Sequence, residues 1–382
     1  MTQQLDPQNK EHRQIIRFLE DKQILIAGGS ANARTAIRSF TKGLQIPGGN
    51  VHVGQGLNQA LEIMNEKKPH ILITDFKLEE KSCIPLLQKH LEVMPDRSQT
   101  MTFVFGSASP LPDRAKSFDF FADAFMEKPL VIHKLAEKFF EVLNDRLFIN
   151  KKDRLVYKGL SPYFKGDYPQ ALDTIAKLEE KGATNPLLYG IKGLIHEVYS
   201  DYDKAIEAFN QGLKLKSDHY ICTQGKYRVL ITRGKYRDAY DPLQDLIKNH
   251  PINASDIPEM IKVFVAQERF EEAVDFCDEF VSFENFDQTS EGNDEDSSEE
   301  SLEETIQRIG MCLVAVAKFL SKKEDYAKAK KTLLKATKLV DSDDVKVIGG
   351  VVNELINLDE KEEAYDLILK VTPSKLDDNL MT

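Results

Sequence analysis

Tyr168-Pro169-Gln170-Ala171 returns along the chain as Tyr202-Asp203-Lys204-Ala205, Tyr236-Arg237-Asp238-Ala239 and Phe270-Glu271-Glu272-Ala273. Each copy is an aromatic residue, two variable positions and an alanine, and successive alanines lie 34 residues apart. Two further copies, Tyr326-Ala327-Lys328-Ala329 and Lys361-Glu362-Glu363-Ala364, are separated by 35 residues. A fixed period in this range marks a stacked-repeat architecture, each unit burying its apolar face against its neighbours. The alanine is small because the two helices of a unit cross closely there. Twelve residues before it stand Gly159, Gly193 and Ala317, small residues expected to face it; Tyr227, Ile261 and Val352 break that pattern, so the units are degenerate. Gly166, Asp201 and Gly234 are expected to mark the tight turn inside a unit.

The period resembles that of the tetratricopeptide repeat. The resemblance implies an α-helical superhelix over residues 148–375, with about six units and a concave face lined by the first helix of each pair. Such a groove suits an extended protein or peptide partner. The fourth and fifth alanines are 56 residues apart, an excess of 22. The excess coincides with Glu284 to Glu304, rich in Asp, Glu and Ser and without one Lys or Arg. That composition cannot bury enough apolar surface to offset its ordering entropy, so 284–302 reads as a disordered insertion. It is a solvated insertion without a role, an acidic arm for a basic partner, or a mask over the groove of its own repeats.

Ahead of the repeats the pattern changes from helical to strand-and-helix. Ile24-Leu-Ile-Ala-Gly28-Gly29-Ser30 is an apolar run ending in two glycines. Pro69-His-Ile-Leu-Ile-Thr-Asp75, Phe103-Val-Phe-Gly-Ser107-Ala108 and Ala122-Asp-Ala-Phe125-Met-Glu-Lys128-Pro129 are three more apolar runs. Their order and spacing resemble the bacterial response-regulator receiver family over roughly residues 22–147. The resemblance implies a flavodoxin-like, doubly wound (βα)5 domain over 23–147, so the expected fold class is α/β plus all-α. It also implies Asp75 as the phospho-acceptor equivalent, Ser107 and Phe125 as the switch equivalents, Lys128 as the family lysine, and a cis peptide before Pro129. Residues 1–22 read as an N-terminal extension with a short helix, Glu11 to Glu20, and 376–382 as a tail. Leu135, Phe139, Val142, Leu143 and Leu147 form the apolar stripe of the last receiver helix, which continues or kinks into the repeats.

The departure from the family is at its metal site. The family carries an acidic pair where this chain has Gly28 and Gly29, and glycine offers no side-chain oxygen. Phosphoryl transfer to a carboxylate relies on positioning and charge neutralisation, and Mg2+ takes one or two carboxylates for its octahedral shell. Asp75 alone would hold it weakly. The loop after the acceptor also departs, with Glu79 and Cys83 where the family often has Pro and Gly. Lys77, two residues after Asp75, is a candidate cation substitute whose ammonium would pair with Asp75, or else a solvent-facing lysine. No cofactor and no metal is expected, with Mg2+ retained only for a phosphorylated form.

Composition narrows the classes further. Acidic residues number 62 against 51 basic, a net charge of −11, which disfavours a general nucleic-acid binder. Cys83, Cys222, Cys277 and Cys312 form no CxxC pair and read as buried or idle thiols of a reducing compartment. His52, His70, His90 and His133 lack metal-ligand spacing, and His196, His219 and His250 fall at different repeat positions. Residues 1–22 are too polar for a secretory leader, and no apolar run is long enough for a bilayer. A cytoplasmic, non-enzymatic protein with no membrane partner is expected. Three functions compete: an adaptor with an unphosphorylated pseudo-receiver that docks proteins or homodimerises; a response regulator switched at Asp75 with the repeats as output; and a small-ligand sensor or enzyme using the glycine pocket.

Overall fold

Ile24–Ala27 (β1), Ile71–Asp75 (β3) and Met101–Gly106 (β6) are buried along their whole length. Strands covered on both faces read in this way. In this computed structural model, which describes residues 8–79, 81–106, 111–148, 150–250, 252, 254–281, 302–340 and 344–371, they pair with Val51–Gly54 (β2) and Ala124–Glu127 (β7). The five strands form one parallel sheet in the order β2-β1-β3-β6-β7. Alternation along each strand sends residues to opposite faces. Ile24, Ile26, Ile71, Ile73, Phe103 and Phe105 pack on one side with helices α1 (Lys10–Leu19), α2 (Ala31–Gly43) and α6 (Ile132–Leu147). Leu25, Leu72 and Val104 pack on the other with α3 (Leu57–Lys67) and α4 (Ile84–Val93), and helix α5 (Leu111–Asp119) precedes β7. A two-stranded ribbon, β4 (Lys77–Leu78) with β5 (Lys81–Ser82), follows Asp75. Leu135, Phe139, Val142 and Leu143 are buried, and helix α6 ends at Leu147 rather than continuing.

The described residues then form six helix pairs. They are α7 (Lys151–Gly159) and α8 (Ser161–Phe164) with α9 (Tyr168–Glu180); α10 (Pro186–Val198) with α11 (Tyr202–Leu215); and α12 (Tyr220–Thr232) with α13 (Tyr240–Asn249). After these come α14 (Ile257–Ala266) with α15 (Phe270–Val281), α16 (Leu302–Lys322) with α17 (Tyr326–Leu339), and α18 (Val345–Asn357) with α19 (Lys361–Lys370). All six repeat alanines are buried. The 284–301 insertion and the 376–382 tail lie outside the described residues. No helix among the described residues is long and apolar enough to cross a membrane.

One backbone device closes every pair. Gly166, Ser200, Gly234, Glu268, Glu324 and Asp359, each five residues before its alanine, have φ between 58° and 75°. In each case the next N–H returns to the carbonyl five residues back, from Asp167 to Pro162 through Glu360 to Leu355, at 2.8–3.1 Å. This bond ends the first helix in a left-handed cap. The residue that donates it precedes the second helix, and Asp167 and Asp325 accept there from Gln170 and Lys328 as N-caps. Asp201 is therefore the N-cap residue before α11, and the left-handed corner expected there belongs to Ser200. Gly159 and Gly193 are small for a neighbour other than the alanine: an added Cβ would lie 2.9 Å from Leu178 Cδ1 and 2.4 Å from Phe209 Cε1, respectively.

The described chain divides into two compact units. The first holds the sheet with its helices, runs on through Val229, and takes in Asp245–Pro251; the second holds Leu230–Gln244 and the later helix pairs. Within the first unit, the sheet layer and the first repeat helix share a polar cluster built on two buried arginines. The Asp123 carboxylate, just before β7, pairs with Arg97 Nη2 at 3.1 Å and with Arg146 at the end of α6. Arg97 and Arg146 are 3% and 6% exposed. Arg146 also lies 4.5 Å over the ring of Tyr157 in α7. Burial works against the charge on Arg146, and the Asp123 carboxylate, together with Tyr157 and Asp145, outweighs it, holding the guanidinium above its usual range. Phe121 meets the rings of Phe164 and Tyr163 at 5.0 and 6.1 Å, and the Tyr220 hydroxyl donates to Asp119 at 2.7 Å.

An added Cβ at Gly166 meets nothing within 4 Å, so only its φ of +75° resists a side chain. Gly166→Ala is expected to cost about 1 kcal/mol, and Ser200→Gly to gain up to about 1 kcal/mol, in denaturant unfolding. His90 is buried between Thr102 Oγ1 at 3.1 Å and the Pro69 carbonyl at 3.0 Å. Burial pushes its imidazole down to about 3, with the Arg97 charge adding to the effect. Unfolding frees it to titrate near 6.5, so its neutral form stabilises the fold above that pH. That stability is lost as pH falls toward 3, by roughly 1.4 kcal/mol per unit. His90→Gln should show a correspondingly shallower loss of stability between pH 6.5 and 5.

Candidate functional site

The C-terminal ends of β1, β3, β6 and β7 converge at one edge of the sheet. There the strand order reverses between β1 and β3, the position at which open α/β sheets form a crevice. Asp75 ends β3 and is 4% exposed. Its Oδ2 lies 2.7 Å from Lys128 Nζ, and its Oδ1 accepts the backbone N–H of Lys77 at 3.2 Å. Lys128 follows β7, its N–H donates to the Gly106 carbonyl at 2.7 Å, and the Lys128–Pro129 peptide is cis. Phe125 is half-buried against Gly106, where an added Cβ would come within 2.7 Å of its ring. The structure thus brings Asp75, Lys128, Gly28 and Gly29 together and sets Phe125 against Gly106. Ser107 lies outside the described residues. Lys77 reaches Asp75 through its backbone only, and its side chain is exposed.

The glycine pair adopts a left-handed path, with φ of 67° at Gly28 and 74° at Gly29. The Gly28 N–H donates to the Gly54 carbonyl at 2.9 Å, which pins the turn to β2. An added Cβ at Gly28 would lie 2.5 Å from Leu78 Cδ2 and 3.0 Å from Asp75 Cβ. At Gly29 it would lie 3.2 Å from Phe105 Cζ. Leu78 is fully buried and Phe105 1% exposed, so hydrocarbon fills the space beside Asp75 on the glycine side. Leu78 is delivered by the ribbon after Asp75. Its importance was not legible in the sequence, because only that ribbon turns it under the glycines.

Cys222 and His219 meet in the repeats. Cys222 Sγ lies 3.1 Å from His219 Nδ1, a pairing that sequence spacing alone did not single out. Burial pushes the thiol up to about 12 and the imidazole down to about 4, so both are neutral near pH 7 and the thiol is not an activated nucleophile. Among the described residues, no group of three or more His, Cys, Asp or Glu side chains is placed to hold a metal ion.

No family model matches the chain, and no curated protein does either. Among solved structures, the chain is similar to one of Naa15/Naa10 bound to HypK-THB, at 15% identity and a TM-score of 0.39. That alignment covers 64% of this chain and 34% of the other, so the chain spans about a third of it. YrrB, described as a tetratricopeptide-repeat protein with an unusual peptide-binding site, aligns at 16% identity over 54% of this chain and 94% of its own, with a TM-score of 0.36. The TPR2AB domain of yeast Sti1 in its pHSP90 complex aligns at 17% identity over 61% and 91%, with a TM-score of 0.20. All three scores are low, and the repeat architecture rests on the six helix pairs and their shared corners.

Restoring a carboxylate at the glycine turn should be costly. Gly28→Asp combines a left-handed φ with a Cβ inside the contact radius of Leu78. It is expected to lose at least about 2 kcal/mol in denaturant unfolding.

Proposed function

We propose that this chain is a signalling adaptor: a degenerate receiver-type α/β domain joined to a tetratricopeptide-type scaffold that binds protein or peptide partners. The α/β domain docks proteins, or a second copy, and does not cycle through Mg2+-dependent phosphorylation. The observation that carries the reading is the glycine side of Asp75. Leu78 and Phe105 occupy the space a metal-binding side chain would need, and Gly28 and Gly29 follow a path that disfavours any side chain. Mg2+ would then find Asp75 and backbone oxygens only, short of the carboxylates it usually takes. The Lys128 ammonium already neutralises Asp75 at 2.7 Å. No catalytic turnover and no resident cofactor belong to this reading.

A second reading, a regulator phosphorylated on Asp75, is favoured by the same Asp75–Lys128 pair, since a lysine beside the acceptor also neutralises a transferred phosphoryl group. One experiment separates the two. Intact mass is measured after incubation with acetyl phosphate and Mg2+, with Asp75→Ala as control. The adaptor reading expects no added mass. A phosphoryl adduct present in the native chain and absent from Asp75→Ala would overturn it in favour of the second.

A further inference from the structure

We infer that the outer face of α19 is an interface between two copies of this chain, paired antiparallel about a two-fold axis. The inference goes beyond the adaptor reading and does not depend on the chemistry of Asp75. Tyr365, Ile368 and Leu369 share one helix face at i, i+3 and i+4, and they are 63%, 40% and 64% exposed. The opposite face of α19 is the packed one. Ala364 and Val371 are buried there, and Glu363 pairs with Lys330 of α17 at 2.5 Å.

Position in the repeat makes this exposure unusual. Ile368 stands four residues after its repeat alanine. The same position in the other five pairs is Ile175, Phe209, Leu243, Cys277 and Leu333, each at most 1% exposed. The following pair supplies the cover: Ile175 packs with Leu188 and Ile191 of α10, and the Phe209 ring lies where a Cβ of Gly225 in α12 would stand. α19 keeps the apolar residue without a following pair among the described residues. The outer face of a terminal repeat is polar when it meets water. Here Leu369 stands where the first four pairs have Ala176, Asn210, Gln244 and Asp278.

Two observations select a second copy as the occupant. The first is the other end of the array. Arg146 lies over Tyr157 of α7, and Phe121 packs on Tyr163 and Phe164, so the sheet layer already holds the first helix pair. Head-to-tail stacking of copies would need that end, whereas a two-fold pair needs only α19. The second is charge. Glu362, Asp366 and Lys370 are exposed and recur every four residues, in one row beside the apolar stripe. In an antiparallel pair the two rows run in reverse order. Glu362 of each copy then comes beside Lys370 of the other, and Tyr365 of each beside Leu369 of the other. Asp366 faces its own equivalent at mid-row, a like-charge contact that opposes association. A parallel pair would set all three charges against themselves, so the row favours the antiparallel one.

The test is sedimentation velocity of the full chain over a hundredfold range of concentration. A reversible monomer–dimer equilibrium is expected, with no larger species. Leu369→Glu should weaken association at least tenfold without loss of helix by circular dichroism, since the residue is exposed in the single chain. Glu362→Lys should weaken it about threefold, and adding Lys370→Glu to that variant should restore it. The inference is overturned by a chain that stays monomeric throughout, by assembly beyond the dimer, by association that Leu369→Glu leaves unchanged, or by a double charge swap that recovers nothing. For a monomeric chain, removing residues 373–382 identifies the other occupant: association gained on removal means that segment covers the stripe, and none gained means a different protein does.

Discussion

One carboxylate, Asp123, joins four segments of the first compact unit. Arg97 comes from the loop before β6, Arg146 from the end of α6, and Tyr157 from the first repeat helix, and all are tied to it directly or through Arg146. The Asp123 carboxylate also accepts the backbone N–H of Thr102 at 2.8 Å, so it fixes β6 as well. Two guanidinium groups out of water are tolerable only with such a partner, and removing one member of a buried pair typically costs about 3–5 kcal/mol. The sheet layer and the first helix pair therefore share the cluster. The aromatic contacts of Phe121 with Tyr163 and Phe164 add an apolar seam beside the charged one.

At the other end of the sheet the balance is different. Asp75 keeps a charged partner, but its surroundings on the glycine side are hydrocarbon. Leu78 can reach that position only because the chain turns back on itself in the β4–β5 ribbon, with Glu79 at φ 60° in the turn. The glycine at residue 28 and the leucine at residue 78 are therefore one packing arrangement seen from two segments. A glycine at residue 28 without Leu78 would leave a hole, and Leu78 under a larger residue would clash.

The repeat period and the strand runs were legible because both are periodic: alanines step by 34, and apolar residues fill whole strands. The corner of each pair was only half legible. Gly166 and Gly234 announce a left-handed residue, but Ser200, Glu268, Glu324 and Asp359 do the same work without the signal, since the helix-ending hydrogen bond outweighs their backbone preference. The Asp123 cluster was not legible at all. Arg97, Asp123 and Arg146 are scattered charged residues in sequence, and only the fold brings them within reach. At the candidate site, Asp75 and Lys128 followed from motif order, whereas Leu78 required knowledge of the ribbon.

Phe209 carries a consequence for how this array can change. Its ring lies where Cβ atoms of both Gly193 and Gly225 would stand, at 2.4 and 2.3 Å, so one side chain occupies the space of two missing methyl groups on two different helices. The equivalent positions in the other units are Ile175, Leu243, Cys277, Leu333 and Ile368. Side-chain volume thus encodes the order of the units. Deleting or duplicating a single repeat would set the ring against a full-sized neighbour or leave the glycines facing a void. The array is better understood as a fixed sentence than as a string of interchangeable words, and its evolution at these three positions must be concerted.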